Sequence, residues 1–91
     1  MGLNITGVVK DDAGEPLPQA TVRLLTASDS TFVKGVKTNA SGIYTFTGAK
    51  SGRYLIETSS VGYATSFTPV TVAKTNLQVD DIQLSESSIQ L

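Results

Sequence analysis

Large apolar side chains alternate with polar ones in two runs near the middle of the chain. The first run covers residues 43–47 and the second covers residues 53–60, and each follows a turn that contains a glycine, Gly42 or Gly52. A period of two residues is typical of strands that bury one face and expose the other. The pattern predicts consecutive antiparallel strands whose buried face carries Tyr44, Phe46, Tyr54, Ile56 and Thr58.

Similar runs recur along the rest of the chain, roughly 8–12 residues apart, with turn-forming residues between them. We predict seven strands, over residues 3–10, 20–26, 31–38, 43–47, 53–60, 67–72 and 77–84. No segment has a helical repeat, so the fold class predicted is an all-β, antiparallel sandwich. Gly7 predicts a bulge or a close backbone approach in the first strand, and a shift of phase across Asp80 and Asp81 predicts a bulge in the last. Pro69 favours an edge position for the sixth strand, and the first strand is the second candidate edge.

The length of 91 residues is that of one small domain. We assign residues 1–84 to the sandwich and residues 85–91, which are rich in serine, to a linker that leads to a following domain. The composition then excludes several functions. The chain has no Cys and no His, so it lacks disulfides, thiolate nucleophiles, imidazole bases and the usual zinc ligands. We expect no enzymatic activity, no catalytic residue and no cofactor.

Charge and hydropathy argue against further classes of partner and binding site. The net charge is -1 and the Lys and Arg residues are scattered, which argues against nucleic acid as a main partner. No apolar run approaches the roughly 20 residues that a membrane-spanning helix needs. Calcium could bind carboxylates, but those flanking the glycine turn do not have the spacing of an EF-hand loop. We therefore predict solvated side chains and no metal site at Asp11, Asp12 and Glu15.

A second set of polar residues contains the residue types of a covalent isopeptide cross-link. An isopeptide bond joins a neutral lysine amine to an asparagine beside a protonated, buried acid, and the candidates are Lys10, Asn76 and Glu57. Glu57 falls on the face opposite Tyr54 and Ile56, where water keeps a carboxylate ionised. We therefore predict three separate surface residues, and an intact mass without loss of ammonia is the check.

The aromatic residues divide into two groups. Tyr44, Phe46 and Tyr54 alternate in step with other apolar residues, which assigns them to the core. The remaining three, which could contact a ligand or partner by stacking, are Phe32, Tyr63 and Phe67. If these three cluster on one face or at one end, they could form a platform for sugar rings.

The turn and core residues together resemble a known family, the carboxypeptidase regulatory-like domain. The resemblance runs from about residue 5 to residue 72, and its motif residues are Gly7, Gly14, Pro16, Gly42, Tyr44, Phe46, Gly52, Tyr54, Ile56, Gly62 and Tyr63. It implies a transthyretin-like (prealbumin-like) Greek-key sandwich of seven strands. Domains of this kind accompany metallocarboxypeptidases without carrying their zinc site.

Two segments, residues 29–35 and 81–86, resemble the copies that precede TonB-dependent receptors and related outer-membrane β-barrel proteins. That resemblance implies a non-catalytic accessory or interaction module on the periplasmic side of a bacterial outer membrane. The natural protein would then carry a signal peptide, and Met1 would be artificial. The implied partner is a plug or barrel domain of the same polypeptide, or another periplasmic or outer-membrane protein, which could add a strand to a sheet edge. The alternative is a carbohydrate-binding module that presents oligosaccharide to the transporter. We expect a monomer in isolation.

Overall fold

A computed structural model describes residues 2–87 and contains only strands and turns. The elements in chain order are β1 (Leu3–Lys10), β2 (Thr21–Thr26), β3 (Phe32–Lys37), β4 (Ile43–Ala49), β5 (Gly52–Ser59), β6 (Ser66–Val72), β7 (Leu77–Gln78) and β8 (Ile82–Gln83). They form two sheets packed face to face, so the predicted all-β sandwich is confirmed. In this described part of the chain no helix is long and apolar enough to cross a membrane.

The first sheet is built around β1. Strand β4 pairs with one side of β1 in antiparallel fashion, and β7 and β8 pair with β1 in parallel, one after the other. The predicted last strand is thus two short strands, which makes eight strands instead of seven. They are separated where Asp80 and Asp81 turn out to solvent, at the position where the phase shift predicted a bulge.

The second sheet has the order β3-β2-β5-β6, and all its neighbours are antiparallel. The strand that contains Pro69 lies at an edge, as predicted. The prediction of β1 as an edge strand is wrong, because β1 has partners along both of its sides. Strand β3 forms the other edge of the second sheet. The sequence did not predict this edge position.

The core lies between the sheets and contains the side chains that alternation assigned to it. Tyr44 and Phe46 are 1% exposed, and their rings meet edge to face with centroids 5.9 Å apart. Tyr54 is also buried, and its hydroxyl donates to the carbonyl oxygen of Lys50 at 2.7 Å. The remaining buried apolar residues include Ile5, Val9, Val22, Leu24, Ile56, Val72, Val79, Ile82 and Leu84.

Gly7 is a close-approach glycine. It faces the core opposite Tyr44 on the neighbouring strand, and a Cβ atom built at Gly7 would lie 2.3 Å from the Tyr44 hydroxyl oxygen. The phenol ring therefore occupies the space that a side chain on β1 would need. Its hydroxyl is buried and has no hydrogen-bond partner among residues 2–87, and burial, followed by the charge of Asp81, raises the pKa of Tyr44.

The chain enters and leaves the sandwich at opposite ends. Leu3 pairs with Ala49 at one end, whereas Tyr63 forms a bridge with Glu86 at the other. The amide of Ser87 also donates to the carbonyl oxygen of Gly62 at that second end. The predicted linker therefore begins in backbone contact with the sandwich, and its residues 88–91 lie outside the described residues, as does Met1.

Candidate functional site

The outward face of the second sheet carries two rows of side chains that cross its strands. In one row Leu25 pairs with Phe32 and Leu55, and Leu55 pairs with Pro69. In the next row Arg23 pairs with Gly35 and Glu57, and Glu57 pairs with Phe67. Arg23, Leu55 and Glu57 point outward because their neighbours in the chain, such as Leu24 and Ile56, are fully buried, whereas Leu25 is itself buried. We call this surface the aromatic face and define it by Arg23, Phe32, Leu55, Glu57, Phe67 and Pro69.

An ion pair lies at the centre of the aromatic face. The Nη1 atom of Arg23 donates to the Oε1 atom of Glu57 at 2.5 Å, and the guanidinium carbon lies 5.2 Å from the centroid of the Phe32 ring. The Arg23 side chain is thus held between a carboxylate and an aromatic ring. The prediction that Glu57 faces away from the core is confirmed.

Two aromatic rings flank this pair. Phe32 is 53% exposed on β3 and Phe67 is 56% exposed on β6. The two strands are three neighbours apart, which separates them by about 14 Å at the usual strand spacing, and Phe67 lies one row further along the sheet than Phe32. Single exposed apolar residues are ordinary, but these rings share a face with Pro69 and Leu55. The aromatic face is therefore an extended apolar patch with a charged centre.

Tyr63, the third aromatic candidate, lies elsewhere. It is half-buried in the turn between β5 and β6, at the end of the sandwich. Desolvation, and then the negative charges of Asp11, Asp12 and Glu86, raise its pKa. The structure thus brings two of the three predicted contact residues to one face and leaves Tyr63 among acidic side chains.

The other motif residues form the framework. Tyr44, Phe46, Tyr54 and Ile56 are core residues, and Gly7 accommodates the Tyr44 ring. Pro16 bridges to Lys10 at the end of β1. The remaining motif positions are glycines with positive φ, three in turns, Gly14, Gly42 and Gly62, and one at the start of β5, Gly52. Gly42 is the most constrained of them, since a Cβ atom there would also lie 2.6 Å from the carbonyl oxygen of Val9.

The carboxylates considered as calcium ligands flank the glycine turn, where one of them has a structural role. The Oδ1 atom of Asp11 accepts from the amides of Ala13 and Glu15 and so holds the glycine turn. Among residues 2–87 no group of three potential ligand side chains could hold a metal ion.

The three isopeptide candidates also lie apart. Lys10 pairs with Asp81 at 2.7 Å, Glu57 pairs with Arg23 on the other sheet, and Asn76 accepts from the amide of Asn4. The amine, the acid and the amide are therefore held by different partners, in agreement with the prediction of three separate surface residues.

The patterns of single strands do not predict Arg23 and Pro69 as members of a common surface. The alternation along β2 separates Arg23 from the buried Val22 and Leu24 and so gives the face on which it lies. The register of β2 against β3 and β5 gives the neighbours, and no single strand carries that information.

The family model that matches this chain is the carboxypeptidase regulatory-like domain, over residues 4–85. The match is thus to a regulatory-like domain and indicates no catalytic family. No relative is found among curated protein sequences.

Several solved structures share the fold. The group B streptococcus pilus 2b backbone protein superposes with a TM-score of 0.71 at 21% identity, over 96% of this chain and 42% of that one. The shaft pilin SpaA of Lactobacillus rhamnosus GG gives 0.75 at 16% identity, over 100% and 50%. A 3-chlorocatechol 1,2-dioxygenase of Rhodococcus opacus gives 0.71 at 13% identity, over 96% and 62%. The chain thus spans between two fifths and two thirds of these proteins, and identities this low show the fold alone.

Proposed function

Since the chain belongs to the carboxypeptidase regulatory-like domain family, we propose that it is a non-catalytic interaction module that binds a protein partner through the aromatic face. The observation that carries this proposal is the placement of Phe32 and Phe67, each more than half exposed, on either side of the Arg23–Glu57 pair. Aromatic residues and arginine are the types that dominate the binding energy of protein interfaces.

The geometry of the face suits protein binding. Arg23 is already held by Glu57 and Phe32, so little side-chain freedom remains to be lost when a partner binds. The partner would cover the two rings and Pro69, and it would leave the internal ion pair intact. Addition of a strand to an edge is less favoured on this side, because Pro69 removes one amide donor from β6.

We further propose that the module belongs to a TonB-dependent-receptor-like protein and lies on the periplasmic side of an outer membrane. The support is the resemblance of residues 29–35 and 81–86 to copies that precede such barrels. The partner would be the plug or barrel domain of the same polypeptide, or a periplasmic protein. The shared fold of a pilus backbone protein and a shaft pilin supports use of this fold as an interaction module.

The test is a binding titration of the ¹⁵N-labelled chain with plug domains of TonB-dependent receptors. We expect amide shifts on β3, β5 and β6, and about tenfold or greater weakening of binding by Phe32→Ala or Phe67→Ala. Val61→Ala is the matched control, because Val61 is 99% exposed and lies off the aromatic face. If all three variants bind the plug domain equally tightly, the aromatic face is not the binding surface.

Carbohydrate binding is the second candidate, and the shared face of Phe32 and Phe67 favours it, since two rings on a flat sheet can stack against sugars. It is second because sugar hydroxyls also need hydrogen-bond partners, and Arg23 and Glu57 bond to each other. Saturable binding of an oligosaccharide that Phe32→Ala abolishes would establish it. If plug domains bind and oligosaccharides do not, the carbohydrate hypothesis is wrong.

A further inference from the structure

Charge is distributed unevenly along the length of the sandwich. The end at which the chain enters contains the turns 27–31, 50–51 and 73–76. It carries four cations and one acid, for a net charge of +3: Lys34, Lys50, Arg53, Lys74 and Asp29. We call this the basic end. All five residues are exposed.

The opposite end has the reverse sign. It contains the turns 11–20, 38–42 and 60–65 together with residues 84–87. Five acids and two cations there give a net charge of -3: Asp11, Asp12, Glu15, Asp81, Glu86, Lys10 and Lys37. We call this the acidic end. The middle contributes only Arg23, Glu57 and Asp80, which brings the total to the -1 of the chain.

Few of these charges are neutralised within the domain. The ion pairs among residues 2–87 are Lys10–Asp81 at the acidic end and Arg23–Glu57 in the middle. At the basic end Lys34 bonds to the carbonyl oxygen of Thr47, and that contact leaves its charge uncompensated. Each end therefore presents a net charge of its own to the surroundings.

The ends are far apart and face in opposite directions. The longest dimension of the molecule is 45 Å, and the eight residues of β1 alone extend about 26 Å from one end towards the other. Because this exceeds the Debye length of about 8 Å at physiological ionic strength several times, the two ends act as separate charged surfaces. A second domain placed at either end in line with the strands would meet one sign of charge only.

We propose that the domain packs end to end with a second copy of itself, the acidic end of one copy against the basic end of the next. The charges of the two ends are opposite and equal. The fully exposed Val61 projects from the acidic end, and apolar contact by this side chain adds to the attraction. Because the chain enters at the basic end and leaves at the acidic end, the same arrangement suits copies joined in one polypeptide.

The contact joins two different surfaces, so it is heterologous and need not close into a ring. Surface charges of this kind contribute little energy per pair, and the association of free copies is therefore weak. A dilute sample remains monomeric, whereas millimolar concentrations populate the contact. The proposal does not depend on the aromatic face.

The experiment uses dilute ¹⁵N-labelled chain and a millimolar excess of unlabelled variant. The basic-end variant is Lys50→Glu/Arg53→Glu/Lys74→Glu. The acidic-end variant is Asp12→Lys/Glu15→Lys/Glu86→Lys, which leaves the turn-holding Asp11 in place. All six positions are exposed, and Asp80→Lys, in the middle of the molecule, is the matched control.

The polarity of the contact gives a specific expectation. Both ends of the basic-end variant are negative, so it shifts only basic-end amides of the labelled chain, and the acidic-end variant, with two positive ends, does the opposite. The Asp80→Lys control shifts both sets. Mixing the two variants restores association, because their altered ends again have opposite charge. Raising the ionic strength from about 0.01 M to about 1 M shortens the Debye length from about 30 Å to about 3 Å and weakens the association about tenfold.

Three results would overturn the proposal. They are shifts confined to the aromatic face, shifts at both ends with either variant, or no concentration-dependent shift for the unmodified chain at low salt. The concentration series of the unmodified chain needs no variant. It therefore tests the proposal even if a variant fails to fold.

Discussion

Replacing Gly7 by alanine should destabilise the sandwich from its centre. The new methyl group would lie 2.3 Å from the hydroxyl oxygen of Tyr44, 2.6 Å from Cζ and 2.9 Å from Cε2. All three distances are shorter than van der Waals contact. Tyr44 cannot swing away without cost, because it is 1% exposed and its ring packs against Phe46.

The expected magnitude combines two opposing effects. Overpacking a well-packed core typically costs about 1–3 kcal/mol. Removing a glycine from a strand returns about 0.5–1 kcal/mol, because the unfolded chain loses freedom. The net loss is about 1–2 kcal/mol, which corresponds to a fall in Tm of about 5–15 °C for a domain of this size.

Thermal and urea unfolding followed by circular dichroism will measure this loss. Gly35→Ala is the matched control, because Gly35 lies in a strand and its Cβ position is 3.4 Å from the Phe32 ring. We expect that variant to equal or exceed the native stability. The Tyr44→Phe change should rescue part of the Gly7→Ala loss by removing the nearest atom, and alone it should stabilise, since the buried hydroxyl has no partner within residues 2–87. If Gly7→Ala proves as stable as Gly35→Ala, the close packing of Tyr44 on β1 is refuted.

Other substitutions give distinct results. Thr38→Val should cost about 1–3 kcal/mol in urea unfolding, because the buried Thr38 hydroxyl accepts from the amide of Ala20 and donates to the carbonyl oxygen of Leu17; a loss below a few tenths would contradict this role. Glu57→Gln should cost less than about 1 kcal/mol, because the ion pair is partly exposed, and a much larger loss would show that the pair is structural. The hydroxyl of Thr26, followed by Thr31, lowers the pKa of Asp29 below its usual 3.8. Stability from that carboxylate is present above this usual value and is lost as the pH falls through the depressed one. In an NMR titration Thr26→Val should raise the pKa of Asp29, and an unchanged value would refute the assignment.

The sequence predicts which way a side chain faces better than which strands are neighbours. The alternation placed Tyr44, Phe46 and Tyr54 in the core and Glu57 outside it, because the period of two is a property of one strand. It could not show that β1 is central, because pairing partners come from distant parts of the chain. The parallel pairs of β1 with β7 and β8 are two residues long each, too short to leave a pattern.

The candidate surface shows the same division. The sequence predicts Phe32, Phe67 and Tyr63 as contact residues one at a time, and of these Phe32 and Phe67 are exposed. Their grouping depends on the register between strands that are three neighbours apart, which brings two together and leaves Tyr63 at the end of the sandwich. The charge separation between the ends likewise needs the fold, since acidic and basic residues from six or more turns and strands are gathered only by folding.

The parallel pairing of β1 with β7 and β8 has a mechanical consequence. The first and last strands of the domain lie side by side and point the same way, so a pull that separates the two chain ends slides them past one another. Their backbone hydrogen bonds, such as those from Val79 to Thr6 and from Leu84 to Lys10, then share the load together and do not open one by one. We expect single-molecule stretching to record a higher rupture force when the chain is held by its ends than when it is held through cysteines introduced at Lys50 and Lys74. A tether made of such domains would hold its length under tension.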